Sequence, residues 1–427
     1  MDPSMPHPLR RLWNGLLLVG PGLFCIGYTI GTGSVTTMAV AGSRFGTRLL
    51  WVLALSCLFS WVLMEAYGRY GVVTGRTAIH SFRHEIRHGR WLALGSMLLL
   101  ITGQWFCLSG IVGLSANAIY EVVRLAMPEL DPSSYWAVLG IAIFIIGVVL
   151  AMLWIGNYSW FEKILVVFVT LMGLSFLVSM FIVLPSPLEI AGGLVPGLPA
   201  AEGSKLIAAA FVGTTMAAPT FVVRPLLMKG KGWTRDHVRH QSRDSLVSAL
   251  LMFVISGAIM VCATGALFHS GKTIAKVLDM VSILEPVAGK FAVALFLTGT
   301  LSAGLSSIFP IAMVAPLLVA DYQAGVLDTR SRRFRALAAV AGALGLTVPI
   351  LGANPILAQV ATQVAQVFAL PPIIAGIFLL VNRRSLMGSH KAGWALNAGI
   401  IAAFGFSLLS VGTTLWAVWE KIQGAPQ

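Results

Sequence analysis

Long apolar runs separated by short, charged connections leave this chain few ways to fold. Eleven runs occur, at 14–41, 48–69, 92–121, 136–156, 160–184, 204–228, 245–268, 288–320, 334–352, 356–382 and 394–419. A helix crossing a bilayer needs about 20 apolar residues at a rise of about 1.5 Å each, and every run is of that order. In hydrocarbon each backbone N–H and C=O has to be satisfied inside its own segment, so the spans are helices. The expected fold class is an all-α polytopic membrane protein with about 11 transmembrane helices. The run ending at Glu121 is long enough to tilt or to extend beyond the bilayer.

Composition excludes the competing classes. Of the 427 residues 57% are hydrophobic and 11% charged, against about 45–50% and about 25% in a soluble domain. Neither a large soluble enzyme nor a disordered chain has that balance. The net charge is +13, which alone would suggest nucleic acid. With the N-terminus placed in the cytoplasm, however, 21 of the 29 lysines and arginines fall in cytoplasmic connections, as the positive-inside rule requires. The basic residues are therefore a topology signal and an anchor for anionic lipid. The expected location is a bacterial-type inner (plasma) membrane, with the bilayer as partner, no nucleic acid and no obligate protein partner. An odd number of spans puts the C-terminus outside. Arg10 and Arg11 precede the first run with no small-residue cleavage site, which reads as an uncleaved span. Cys25, Cys57, Cys107 and Cys262 lie in apolar segments without CxxC spacing, so neither a disulfide framework nor a zinc site is expected.

Two spans carry helix-breaking sequences. The first contains Gly31-Thr32-Gly33-Ser34, and each glycine weakens a helix by about 1 kcal/mol relative to alanine. The sixth contains Gly213-Thr214-Thr215-Met216-Ala217-Ala218-Pro219, where proline removes a helical hydrogen bond. Five spans separate the breaks, so the second helix runs opposite to the first. That is the pattern of a five-plus-five inverted repeat, in which paired discontinuous helices mark a transporter's substrate site. The chain is then a single transmembrane transporter domain over 1–427: a first repeat at 14–184, a second at 204–382, and an additional helix with its tail at 391–427.

Other polar residues lie at membrane depth. Glu65, near the cytoplasmic end of the second span, either carries a proton or pairs with Arg69 at i+4. Gln359, Gln363 and Gln366 make one polar stripe on the tenth span, with Thr362 beside it, available to a substrate or to helix–helix hydrogen bonds. Gln104 and Trp105 are comparable residues in the third span, and Phe211 in the sixth. Ser302, Ser306 and Ser307 suit helix contacts, and Arg224 is expected to snorkel to the interface. Arg76, His80, Arg83, His84, Arg87 and His88 lie mostly on one face, which reads as a short interfacial helix in preference to a metal cluster.

Several collinear segments resemble the Nramp family (natural resistance-associated macrophage proteins). They are Gly20-Pro21-Gly22, Phe45-Gly46 before Leu50-Trp51, Arg69-Tyr70-Gly71-Val72-Val73-Thr74-Gly75, Thr362-Gln363-Val364, Ala369-Leu370-Pro371, and Asn382-Arg383-Arg384 to Met387-Gly388. The resemblance covers most of the chain. It implies proton-coupled divalent-metal transport and the inverted-repeat fold of the amino-acid transporter superfamily, with broken helices 1 and 6. The family's Asp-Pro-Gly-Asn motif aligns to Gly31-Thr32-Gly33-Ser34, and its Met-Pro-His motif to Ala217-Ala218-Pro219. Its third-span acidic pair aligns to Cys107 and Gly110, and only the tenth-span glutamine, Gln363, survives.

Transition metals favour carboxylate, imidazole or thioether ligands placed together, and this pattern lacks them. The sequence therefore suggests a secondary transporter of a small uncharged polar solute such as a sugar, with possible proton coupling through Glu65 and neither a metal site nor a cofactor. Its substrate residues would be Gly31, Thr32, Gly33, Ser34, Gln104 and Trp105, together with Phe211, Gly213, Thr214, Thr215, Ala217, Gln359 and Gln363. The alternative is a divalent cation, Mg2+ or Mn2+, held by a non-standard oxygen site. No HExxH, GxSxG or potassium-filter motif supports an enzyme or a channel.

Overall fold

The first apolar run folds as two short helices. The computed structural model describes residues 20–423 except 128, 132–133, 156–157, 184, 269–270, 272–273, 275–276 and 325–329. Arg10, Arg11 and the start of the first run lie outside the described residues. Helices α1 (Gly20–Thr29) and α2 (Thr32–Phe45) meet at Ile30 and Gly31. They are followed by α3 (Leu50–Thr74), α4 (Ala78–Glu85), α5 (Gly89–Ala126), α6 (Tyr135–Ile155), α7 (Tyr158–Ile182) and the short α8 (Pro187–Gly192). The sixth span is again double, α9 (Ser204–Thr215) and α10 (Ala218–Gly230). Then come α11 (Val238–Leu267), α12 (Val277–Ala324), α13 (Arg332–Gly345), α14 (Thr347–Leu351), α15 (Pro355–Gln366), α16 (Leu370–Val381), the one-turn α17 (Arg384–Met387) and α18 (Trp394–Ile422). Beyond the broken first span, ten segments among the described residues are long and apolar enough to cross a membrane.

Three spans differ in detail from the sequence expectation. The third is a 38-residue helix, longer than its apolar run. The ninth divides into α13 and α14, and the tenth is interrupted by a 3-10 turn, Val367–Ala369, between α15 and α16. The basic stretch expected to form one interfacial helix is helical only over Ala78–Glu85, because His88 adopts φ 58° and starts α5.

Burial separates the centre of the bundle from its rim. In the Ser204–Gly230 span 94% of the apolar window is buried, against 28% in Tyr135–Ile155 and in Trp394–Glu420. The broken sixth span is therefore central and α6 and α18 are peripheral. Trp136, Phe144 and Leu409, exposed on those outer helices, form the surface that lipid covers. In the centre α9 packs on α2, α3 and α15, while α1 and α10 pack on each other and on α11 and α3 respectively.

One buried ion pair joins the half-helices at one end of the bundle. Arg224 was expected at the interface, but it is fully buried. Its Nη2 donates to Asp244 Oδ2 at 2.5 Å and to Ser245 Oγ at 3.0 Å, and its Nη1 approaches Cys25 Sγ at 3.7 Å. The second oxygen of Asp244 accepts the Gly22 N–H at 3.2 Å. The pair thus ties α1, α10 and α11 together. Beside it Glu65 accepts from Arg69 at 2.7 Å and from Gln241 Nε2 at 2.7 Å, and Gln241 Oε1 accepts from Ser245 Oγ at 3.2 Å. This second group adds α3 to the same cluster. Charges at such depth are tolerated because each finds a partner.

Removing one member of a buried pair leaves the other desolvated and unpaired, at a cost of about 3–5 kcal/mol. Arg224→Met is therefore expected to lower the thermal transition of the detergent-purified protein strongly. Arg224→Met combined with Asp244→Leu should recover most of that loss. A double variant as unstable as the single one would mean that the pairing is not the source of the effect.

Candidate substrate-binding site

The two breaks open onto the same place. In the first span Gly31 takes an extended backbone (φ −73°, ψ −172°) before α2 begins. In the sixth, Met216 (φ −88°, ψ 52°) and Ala217 (φ −61°, ψ 97°) interrupt the helix. Pro219 follows in the first turn of α10, where its missing N–H costs no helical bond. The last carbonyls of α1 and α9 have no partner further along their own helices. Some are taken by side chains: Ser307 Oγ donates to Gly27 O at 2.6 Å and Ser60 Oγ to Thr215 O at 2.9 Å.

A cavity of about 10 Å³ lies between the breaks, room for one water-sized body. Tyr28, Thr29, Gly31 and Gly33 line it from the first span, and Thr214 and Ala217 from the sixth. Cys107 and Ile111 on α5, Ile311 on α12, and Gln363 and Gln366 on α15 complete the wall. The glutamines form a directed chain of amide hydrogen bonds. Gln104 Nε2 donates to Gln366 Oε1 at 3.0 Å, Gln366 Nε2 to Gln363 Oε1 at 3.1 Å, and Gln363 Nε2 to Gln359 Oε1 at 3.3 Å. Gln359 Nε2 ends the chain on Cys107 O at 2.8 Å. Gln363 Nε2 also approaches Cys107 Sγ at 3.4 Å. Tyr28 OH and Gln104 Oε1 lie buried beside each other there.

Five of the expected substrate residues, Gly31, Gly33, Thr214, Ala217 and Gln363, line the cavity. The others do not. Ser34 Oγ is 3.2 Å from Ser256 Oγ. Gln104 and Gln359 belong to the amide chain behind the wall, and Phe211 and Thr215 are buried away from the cavity. Trp105 packs half-buried against the core. The Thr32 side chain lies outside the described residues. Glu65 does not line the cavity either; its carboxylate is held by Arg69 and Gln241. Tyr28, Thr29, Ile111, Ile311 and Gln366 were not on the expected list, although Gln366 was visible as the last member of the glutamine stripe. Among the described residues no group of three or more His, Cys, Asp or Glu could hold a metal ion.

Two glycines let the broken helices close on Gln363. A Cβ on Gly33 would come within 2.2 Å of Gln363 Nε2, and one on Gly213 within 1.8 Å of the Gln363 carbonyl oxygen. The second contact is with backbone, which cannot rotate away. Gly213→Ala is thus expected to push α9 off α15 and to lower transport at least tenfold, whereas Gly405→Ala, with nothing within 4 Å of the new methyl, leaves it unchanged. Uptake into proteoliposomes reconstituted with each variant checks this.

Residues 22–417 match the family described as natural resistance-associated macrophage protein-like. The divalent metal cation transporter MntH of Ralstonia nicotianae is 28% identical, covering 99% of this chain and 94% of its own length. The protein of the same name from Bacillus subtilis is 24% identical, covering 89% of this chain and 87% of its own length. Among solved structures, the manganese transporter of Eremococcus coleocola superposes with a TM-score of 0.73 at 17% identity, covering 100% of this chain and 91% of that one. MhsT in complex with L-phenylalanine superposes with a TM-score of 0.67 at 15% identity, covering 93% and 98%. These matches establish the five-plus-five inverted repeat with broken helices 1 and 6. They also overturn the expectation of a sugar-like solute, since the relatives are named as metal cation transporters. The physical reason agrees: hydroxyls and aromatics counted toward a sugar site, such as Ser34 and Phe211, lie off the cavity, and the space between the breaks is far smaller than a sugar. The chain is a multi-pass membrane transporter and not an enzyme, and it belongs to the natural resistance-associated macrophage protein-like family.

Proposed function

We propose that this protein carries a divalent metal cation, Mg2+ or Mn2+, across a bacterial-type inner membrane by alternating access. The observation that carries the reading is the meeting of two helix C-terminal ends, those of α1 and α9, at an ion-sized cavity. A helix C-terminus bears roughly half a negative charge, and unwound carbonyls are the cation ligands of broken-helix transporters. Gln363 Oε1, with one lone pair left after accepting from Gln366, and the Thr214 hydroxyl add neutral oxygens. A site of neutral oxygens suits hard cations that keep part of their water shell. The names of the relatives support the same cargo. The excess of basic residues in alternate connections supports a cytoplasmic N-terminus.

Calorimetry and proteoliposome uptake with Mn2+ and Mg2+ test the proposal. Saturable uptake of at least one ion is expected, and Gln363→Ala should weaken binding at least tenfold, about 1.4 kcal/mol. A folded preparation that neither binds nor moves either ion would overturn it.

Glu65 serves this transporter as a structural anion that holds Arg69 and Gln241, since its carboxylate is fully engaged and off the cavity. Glu65→Gln is then expected to lower the thermal transition while keeping uptake within about twofold, well under the tenfold that 1.4 kcal/mol represents. Loss of uptake at unchanged stability would instead identify Glu65 as part of the transport machinery.

A further inference from the structure

The direction of the glutamine chain follows from a single backbone atom. Gln359 Nε2 reaches the Cys107 carbonyl at 2.8 Å, and a carbonyl oxygen only accepts. Gln359 therefore turns its Nε2 to Cys107 and its Oε1 to Gln363, which obliges Gln363 to donate to it at 3.3 Å. Gln363 Oε1 is then placed to accept from Gln366 at 3.1 Å, and Gln366 Oε1 to accept from Gln104 at 3.0 Å. Each amide is oriented by the one after it, back to α5. At that far end Gln104 presents its Oε1, buried beside the Tyr28 hydroxyl.

That end of the chain decides what Tyr28 can offer. An amide oxygen carries no hydrogen, so Tyr28 gives its one hydroxyl hydrogen to Gln104 and keeps only lone pairs for any other neighbour. Tyr28 is itself part of the cavity wall, and its hydroxyl is close to Cys107 of the same wall. It lies at the end of α1, one residue before Thr29 and the break. The side chain is 6% exposed, and its ring stacks on Phe24 one turn back along α1, with centroids 6.3 Å apart, which holds the hydroxyl in place. The Tyr28 oxygen therefore meets the cavity as an acceptor. Gln363 Oε1 does the same with the lone pair that Gln366 leaves free. Neutral oxygens that present lone pairs suit a cation.

We infer, resting on the cation cargo proposed above, that Tyr28 is a ligand to that cation: its hydroxyl oxygen, fixed as an acceptor through the glutamine chain, binds the ion from the first span while Gln363 Oε1 binds it from the tenth. Neither oxygen gives up its existing hydrogen bond to do so. A phenol oxygen with its hydrogen pointed away also stays neutral, in keeping with a wall that carries no charged side chain among the described residues.

The full-length protein in detergent and its Tyr28→Phe variant, which keeps the ring and removes the oxygen, are titrated with Mn2+ and Mg2+ by calorimetry. Tyr28→Phe is expected to weaken binding by about tenfold, the usual effect of losing an oxygen that faces a charge. Fluorotyrosine in place of Tyr28 supplies a second measurement that retains the oxygen and does not depend on the Phe variant folding. Bound Mn2+ is paramagnetic, so it should broaden the fluorine NMR signal of that label beyond detection. The same label in place of Tyr322, about 16 Å beyond Ile311 at the rise of α12, should be broadened far less. Wild-type protein that binds neither ion would overturn the cation cargo and the Tyr28 assignment together. Mn2+ binding unchanged in Tyr28→Phe, or a label at Tyr28 that stays sharp with Mn2+ bound, would overturn the Tyr28 assignment alone.

Discussion

The Arg224–Asp244 pair is the contact on which the arrangement of the broken helices depends. Asp244 on α11 holds Arg224 of α10 with one oxygen and the backbone of Gly22 in α1 with the other. Two half-helices from opposite repeats are thereby joined through one carboxylate. Neither half-helix is long enough to cross the membrane alone, with 10 residues in α1 and 13 in α10. Their position comes from this polar cluster and from packing against α3 and α11. Breaking a buried pair costs far more than its formation gains, so the cluster resists the loss of any one member.

The few charges in this chain are therefore spent on architecture. Arg224, Asp244, Glu65 and Arg69 hold helices together, Asp321 caps α4, and Lys205 binds Glu420 at 2.8 Å to join α9 to α18. Among the described residues the cavity between the breaks has no charged side chain in its wall. Its shape is set by close contact instead, with Gly33 and Gly213 letting two helices approach Gln363 and the amide chain fixing which way that side chain points.

Much of this order is legible in the sequence, and the limits are physical. Apolar runs give the spans because hydrocarbon forces local satisfaction of the backbone. Gly31 and Pro219 mark the breaks to within a few residues because their backbone preferences are local. Long-range partners leave no such trace. Arg224 next to Pro225, near the end of a span, has the pattern of a snorkelling residue, and only the fold brings Asp244 and Gly22 to it. Glu65 with Arg69 could be read either way because the i,i+4 spacing shows one partner and hides Gln241. The glutamine stripe was readable as a stripe, but not as a chain ending on the Cys107 carbonyl. The sugar reading failed at a different step. It counted hydroxyls along the sequence as if all faced one cavity, whereas Ser34 turns to Ser256.

That failure bears on how an uncharged wall can serve a cation. Scarcity of acidic ligands favours a neutral solute over the divalent cation that stands as its alternative, yet side chains are not the only source of negative potential at a helix break. Each half-helix ending at the cavity brings the partial charge of its terminal carbonyls, fixed by the backbone and independent of pH. The carbonyl ends of α1 and α9 bring such negative charge, while the N–H ends of α2 and α10 at the same breaks bring positive charge of similar size, so free carbonyls placed toward the cavity, and not a net charge, would face a cation. For the divalent cation proposed above, a site built this way would hold the ion less tightly than a cluster of carboxylates and would demand less complete dehydration. Both properties favour release, and a carrier has to release its cargo as readily as it binds it. On that proposal the site would draw its negative potential from helix-end carbonyls and not from titratable side chains.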